Sequence, residues 1–387
     1  MIKQHLPKLI VGIFVVFSFV ILLFMTNETR NENRDVNNHL EYSTGRISRI
    51  IADHTFFPEQ NDPLFYTDSN SMRMGTILFE VEMIRGSFAG QVLEASYFMN
   101  SPANVYFEVG DRVSVRIFEF EGEISTVEIR HPERSELLIG AIVLFLVFLC
   151  LIGGKRGMFS VLSLIFTLFC IMFLLIPLTI AGYPVILMTF IIITLITVTS
   201  ITLLAGITPK SISAILGCLI GTLFATIFAY VVGSLVQVSG YNMSNVAHII
   251  HLADNVQISG LFTSSVLVAS IGAVMDTSMS IASAMEEVKQ ANSDITTRKL
   301  FKSGFNIGRD IMGTMSNTLI LAFIGGSLSL LLFMHTTNTS FSQFINNDFI
   351  AMEIIKGIAG SLGIILTAPF TTLIASKLLT TQNHIKD

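Results

Sequence analysis

Charge is scarce in this chain. Only 13% of its 387 residues are Asp, Glu, Lys or Arg, whereas soluble domains run at roughly 25%. So little charge cannot clothe a water-facing surface, which excludes an ordinary soluble globule. Basic clusters are missing too. The formal net charge of -5 is spread thinly, so no nucleic-acid partner is expected. There are three cysteines, Cys150, Cys170 and Cys218. All fall in apolar runs and none in the polar segment, which excludes a disulfide framework there and makes them small buried hydrophobes. CxxC, HExxH and P-loop patterns are absent, and with them the usual signatures of a soluble enzyme. No cofactor is expected.

What the chain has in quantity is hydrophobicity, at 51% of residues and a mean hydropathy of +0.68. About 20 apolar residues cross a bilayer's hydrocarbon core. Eight runs approach or exceed that length: Leu9–Met25, Leu137–Ile152, Met158–Ile176, Val185–Ala205, Ile212–Val236, Gly260–Met285, Ile311–Met334 and Ile350–Leu373. The expected fold class is therefore an α-helical polytopic membrane protein of about eight helices. Lys and Arg occupy alternate short loops: before run one, between runs two and three, four and five, six and seven, and after run eight. The loops 177–184, 238–259 and 335–349 contain neither. This asymmetry predicts both termini in the cytoplasm and residues 26–136 outside it. Run one ends Phe24-Met25-Thr26-Asn27 without a small-residue cleavage pattern, which favours an uncleaved anchor over a signal peptide.

The organisation that follows is an anchor helix (1–25), a polar extracytoplasmic tether (26–74), a small β-domain (75–134), a seven-helix membrane domain (137–377) and a cytoplasmic tail (378–387). The β-domain rests on a period of two. Ile77, Phe79, Val81 and Met83 alternate with polar neighbours, as do Val113, Val115, Ile117 and Val127, Ile129. Gly86, Gly90, Gly110-Asp111 and Gly122 supply turns, so a barrel-like or OB-like domain is expected. Its expected task is docking, with an envelope protein as partner.

Within the membrane part, Ser213, Gly217, Gly221, Ala225, Ala229 and Gly233 recur every four residues. On a helix they form one ridge, along which a second backbone can approach closely. The sixth run aligns Ser265, Ala269, Gly272, Asp276, Ser280, Ser283 and Glu287 on one face. Asp276 is the acid deepest in an apolar span, roughly 14 Å from Met285 at ~1.5 Å per residue. A carboxylate at the centre of a span costs about 2.5–3.5 kcal/mol on insertion scales, so it must be neutral, paired or hydrated. That suits a proton or cation site, with Ser280 on its face and Asn317 and Thr314 of the seventh run as neighbours. A hydrogen-bonded Asp that fixes helix packing is the other reading.

Secondary polar candidates are Glu286 and Glu287 at the end of the sixth run, and Glu353 and Lys356, three apart in the eighth and able to pair. His248, His251 and Asp254 have a spacing that could ligate a metal, but an interfacial amphipathic helix explains it equally, so no metal is expected. Gly360-Ser361-Leu-Gly363 has no membrane His to activate its serine, and a two-Asp intramembrane protease would need a second deep acid. An enzyme is not expected.

The stretches Ala269–Glu287, Gly308–Phe323 and Glu353–Gly363 resemble the YibE/F-like family of multi-pass membrane proteins. The resemblance covers about 137–377 and, more loosely, Val109-Gly-Asp-Arg-Val113. It implies a bacterial cytoplasmic-membrane protein, with a homo-oligomer or a second YibE/F-like subunit as partner, and carries no established activity. Locally, Gly272-x-x-x-Asp276 followed by Glu286-Glu287 is similar to the RND permeases and SecD/SecF proteins. This resemblance implies an intramembrane Asp that takes part in proton coupling. The external domain here is much smaller, and two extra helices precede the Asp. A proton- or cation-coupled transporter or export component is therefore the first expectation, and a non-transporting scaffold whose β-domain binds an envelope partner is the second.

Overall fold

A computed structural model describes residues 40–57, 73–100, 104–120, 123–238, 240–243, 246, 249–250 and 255–381. The expected anchor Leu9–Met25 and the candidate ligands His248, His251 and Asp254 lie outside the described residues. The chain forms two compact units, one within Asn31–Phe148 and one within Leu149–Asp387.

The first unit is a closed five-stranded barrel, ordered β1-β2-β3-β5-β4, the Greek-key arrangement of OB-type domains. Its strands are β1 (Leu40–Phe56), β2 (Met74–Met83), β3 (Val92–Met99), β4 (Arg112–Phe120) and β5 (Glu123–Pro132). β1 closes the barrel by pairing antiparallel with both β2 and β4. The residues picked out by alternation all point inward: Phe79, Val81, Val115 and Ile117 are fully buried and Val127 is 6% exposed. Burying side chains of this size stabilises by about 1.5–3 kcal/mol each. Phe107 packs edge-on against Tyr97 with ring centroids 4.8 Å apart, filling the interior.

The boundary of this domain differs from expectation. Residues read as a polar tether supply β1, a 17-residue strand, so the barrel begins near Leu40. The inward positions of β1 include Ser43 and Gly45, both buried, before Ile47. With a hydroxyl and a hydrogen at those positions, the alternation of large apolar side chains disappears from the sequence. Gly45 is needed there, because a Cβ would run into the Val81 side chain and lie 3.2 Å from the Glu82 carbonyl.

The barrel passes into helix α1 (Ser135–Cys170) through a polar clasp. Glu133 accepts hydrogen bonds from the Ser135 amide at 2.8 Å and the Thr44 hydroxyl at 2.9 Å. Glu136, in the first turn, pairs with Arg112 at 2.9 Å and Arg85 at 3.4 Å. These carboxylates sit where a helix N-terminus favours negative charge.

Helices α1 to α9 make up the rest. α1 continues through a π turn (Ile171–Leu175) into α2 (Ile176–Ile180), and then come α3 (Val185–Ala205), α4 (Pro209–Leu235), α5 (Leu261–Ala291), α6 (Thr297–Gly326), α7 (Leu328–Thr336), α8 (Phe341–Ile345) and α9 (Asp348–Thr381). Local signals set several starts: the Thr208 hydroxyl accepts from the Ser211 amide ahead of Pro209, and Thr296 caps α6. Among the described residues, five helical stretches are long and apolar enough to cross a membrane, or six if α6 and α7, bent by 60°, count as one. Eight expected runs are thus not matched by eight observed spans. Part of the difference lies at Gly154, whose φ of 55° and ψ of -134° break the helical path inside Ser135–Ile180. That 46-residue stretch would be ~69 Å long if straight, over twice the hydrocarbon thickness. Lys155 and Arg156 follow the break directly, between the two runs read from the sequence.

The small-residue ridge of α4 lies against α9 at Gly217, Gly221 and Ala225, and its end, Gly233, meets Phe262 of α5. All six of its residues are buried. A Cβ on Gly217 would strike the Thr371 hydroxyl and come within 2.9 Å of its Cα, and one on Gly221 would lie 2.6 Å from the Gly363 carbonyl. The α9 side of the contact is equally bare, since a Cβ on Gly363 would meet Ala225 at 3.2 Å. The two backbones therefore touch, and dispersion accumulates where no hydrophobic drive exists in lipid.

Candidate functional site

Asp276 sits in the middle of α5, and the packing of α5 decides where its carboxyl points. The helix buries Val266, Leu267, Ile271, Val274, Ile281 and Met285. It does so against α3, α4, α6 and α9, with Cys218, Leu319 and Ile364 in the same core. The opposite face is open: Ala269, Gly272, Asp276, Ser280 and Glu287 are all exposed. The small, hydroxylated stripe that carries Asp276 is thus the outward stripe of the helix. Among the described residues Asp276 makes no hydrogen bond or ion pair.

Its expected neighbours are also turned outward. Asn317 and Thr314 are exposed on α6, which packs beside α5. The Thr314 hydroxyl donates back to the carbonyls of Ile311 at 3.0 Å and Asp310 at 3.3 Å. The expected bond from Asn317 to the Asp276 carboxylate is absent. A side chain on the open face of one helix cannot satisfy the open face of another merely because the helices are adjacent.

The flanking charges are engaged elsewhere. Glu286 pairs with Lys210 at 2.7 Å, joining the last turns of α5 to the first turn of α4. Glu287 stays exposed. Glu353 and Lys356 pair along α9 at 2.7 Å. Glu353 also borders an apolar cavity of about 340 Å³ lined by Ile320, Phe323 and Ile324 of α6 and by Ile354 and Ile358 of α9. A second cavity of about 330 Å³ lies where the start of α3, the end of α4 and the start of α5 meet, with Tyr230, Ser234, Gln257 and Thr263 among its lining.

A group that the sequence did not single out lies deeper. Thr197 and Ser200 of α3 and Thr222 of α4 are at most 1% exposed; the Ser200 hydroxyl has no hydrogen-bond partner among the described residues, and those of Thr197 and Thr222 have only the thiol of Cys218 beside them. Thr197 and Thr222 flank the buried thiol of Cys218. Buried hydroxyls without partners are costly in an apolar setting. The sequence offered one signal for them, namely hydroxyls three apart on α3 and a Cys–Thr pair four apart on α4, but Ser and Thr that bond back to their own helix show the same spacing.

Neither the curated proteins nor the solved structures contain a match to this chain. A family described as YibE/F-like protein matches residues 141–381. That segment takes in every helix from the body of α1 to the end of α9, with Asp276, Asn317 and the α4–α9 seam inside it. The chain, whose helices are long and apolar enough to cross a membrane, belongs to the YibE/F-like protein family.

Proposed function

We propose that this chain is a proton- or cation-coupled secondary transporter or export component in which Asp276 exchanges the coupling ion. The observation that supports the reading is a carboxyl in mid-span, unpaired among the described residues, on a face of otherwise small side chains. Acids in that position are rarely kept for packing, because a packing acid needs a partner. The small side chains of Gly272 and Ser280 beside it leave the carboxyl uncovered. Eight crossings follow if Leu9–Met25 spans and if the arms on either side of Gly154 each span. Both termini are then cytoplasmic and the barrel extracytoplasmic, in a bacterial cytoplasmic membrane.

Asp276→Asn tests the reading. The amide is nearly isosteric and keeps hydrogen bonding, so the variant should insert and purify like wild type. It should lose at least ~10-fold in flux driven by a pH or cation gradient in proteoliposomes, and should fail to complement a deletion strain. Full activity of Asp276→Asn would leave Asp276 without a coupling role. The alternative reading is a scaffold that docks an envelope protein. It draws on Tyr42, Phe56 and Phe98, which are 60–64% exposed on the outside of the barrel.

A further inference from the structure

Two helices of the helical unit begin side by side. α3 starts at Val185, after Pro184. α5 is entered through a short 3₁₀ turn at Ile258, with which it forms one stretch of 34 residues. The two starts touch: a Cβ on Gly260 would lie 3.4 Å from the Val185 Cβ and 3.7 Å from the Ile186 nitrogen. The first amides of a helix have no carbonyl one turn earlier to bond. Here no side chain caps either end, and neither first turn holds an acid. Each such end carries about +0.5 of an elementary charge, so two of them in contact repel. Both open on the cavity of about 330 Å³ at this end of the unit, whose lining has no carboxylate.

A third helix end borders the cavity, the C-terminus of α4, and it is closed by its own turn. The amides of Val236, Gln237 and Val238 bond back to the carbonyls of Val232, Ser234 and Gly233 at 2.9, 3.2 and 2.8 Å. Gln237, with φ of 61°, is the left-handed residue that such an ending requires. The negative end is thus satisfied and the two positive ends are not. A buried side chain points the same way. Thr263 lines the cavity yet is only 3% exposed, and its hydroxyl has no hydrogen-bond partner among the described residues. Side chains on a helix lean toward its N-terminus, which aims this hydroxyl at the same opening. A buried donor left without an acceptor is costly. Elsewhere the wall is apolar, with Val185, Ile186, Ala229 and Phe262.

We propose that this cavity is a binding site for a small organic oxyanion. Its negative group, a carboxylate or a phosphate, accepts hydrogen bonds from the uncapped amides of α3 and α5 and from the Thr263 hydroxyl, and its apolar body lies against Val185, Ile186 and Phe262. No Lys or Arg lines the cavity, so the anion is held by backbone dipoles and hydroxyl alone. The site is distinct from Asp276, which lies about 20 Å further along α5 from Thr263 at ~1.5 Å per residue, and it does not depend on a transport role for that residue.

The test is isothermal titration calorimetry on the full-length protein in lipid nanodiscs. No gradient is present, so a failure here is distinct from a failure of the coupling role of Asp276. The probes are pentanoate and pentyl phosphate, with pentylammonium, the same body under the opposite charge, as control. At least one anion should bind, and the one that does identifies the charged group; the cation should not bind. Thr263→Val keeps the shape and removes the donor, and should weaken binding at least ~10-fold, the usual loss of a hydrogen bond to a charged group. Ser259→Asp sets a carboxylate in the first turn, so it should abolish binding and raise the melting temperature of the unliganded protein. Ser259→Asn, without the charge, should still bind. A wild type that binds neither anion overturns the proposal, as does a protein that binds only after Asp254→Asn, which would mean that the chain's own carboxylate fills the place. Equal binding of pentylammonium overturns it too, and so does unchanged affinity in both Thr263→Val and Ser259→Asp. The gain in melting temperature of Ser259→Asp separates a filled site from a lost fold.

Discussion

The barrel and the helical unit are built on opposite uses of side-chain size. Inside the barrel, contact is made by large groups: Phe79, Phe107, Met83 and Ile117 fill a closed space that water would otherwise occupy. Between α4 and α9, contact is made by what is missing, since Gly217, Gly221 and Gly363 bring backbone against backbone. The reason is the solvent. In water, removing apolar area drives packing at about 25 cal/mol per Å². In lipid that drive vanishes between helices, and only close dispersion contact and hydrogen bonds distinguish one helix neighbour from another. A large residue is thus an asset in one unit and an obstacle in the other.

That contrast can be broken most directly at Gly221. Gly221→Leu should abolish recovery of an assembled helical unit, because four added carbons must displace the Gly363 carbonyl and Thr367. Leu223→Ala, which trims an exposed side chain on the same helix, should leave yield and thermal stability nearly unchanged. Equal behaviour of the two variants in detergent thermal-shift assays would mean that the seam is not what holds α4 to α9. In the barrel the opposite change should be the harmful one. Phe79→Ala opens a cavity in a filled core and should destabilise that unit by about 3–5 kcal/mol. Hydrogen exchange at β2 and β4 amides would report it, and unchanged protection there would refute the packing account.

The smallest expected effect concerns the clasp at the start of α1. Glu133 is held below its usual range by hydrogen bonds from Ser135 and then from the Thr44 hydroxyl. A carboxyl whose folded pKa is depressed contributes its stabilisation above the ordinary value, near 4.3. It loses that contribution as pH falls through the depressed folded value. Wild type should therefore lose protection of the β1 amides on acidification through that range. Glu133→Gln should lack that part of the pH dependence, at a cost at neutral pH of about 1 kcal/mol, as for other helix caps. Identical pH profiles for the two proteins would remove Glu133 from the account.

Much of this structure is local enough to read from the chain. The inward rows of β2, β4 and β5 announce themselves because alternate residues of a strand must share a face. The ridge of α4 does so because residues four apart must share one on a helix. β1 is less legible: Ser43 and Gly45 occupy inward positions because the barrel is crowded there, and crowding is a property of other strands. The open face of α5 is a similar case. Its stripe of Gly272, Asp276 and Ser280 is plain in the sequence, and reads naturally as a crevice shared with Asn317. The fold turns both groups outward, because the larger buried faces of α5 and α6 are claimed by α4 and α9.

Composition and periodicity by themselves determined the membrane class, the existence of a strand-rich polar domain, and the fact that α4 must meet something along its small residues. These depend on solvent preference and on neighbours within a turn or two. Tertiary structure decided that α9 is the partner of most of that ridge, that β1 joins the barrel, that Thr197 and Thr222 close around the Cys218 thiol, and that Asp276 and Arg309 face away from the core. Each of these rests on which of several similar apolar faces wins a contact far away in sequence. In lipid the competing faces differ in shape and in the hydrogen bonds they offer, and complementarity between distant segments is not written in the periodicity of either one.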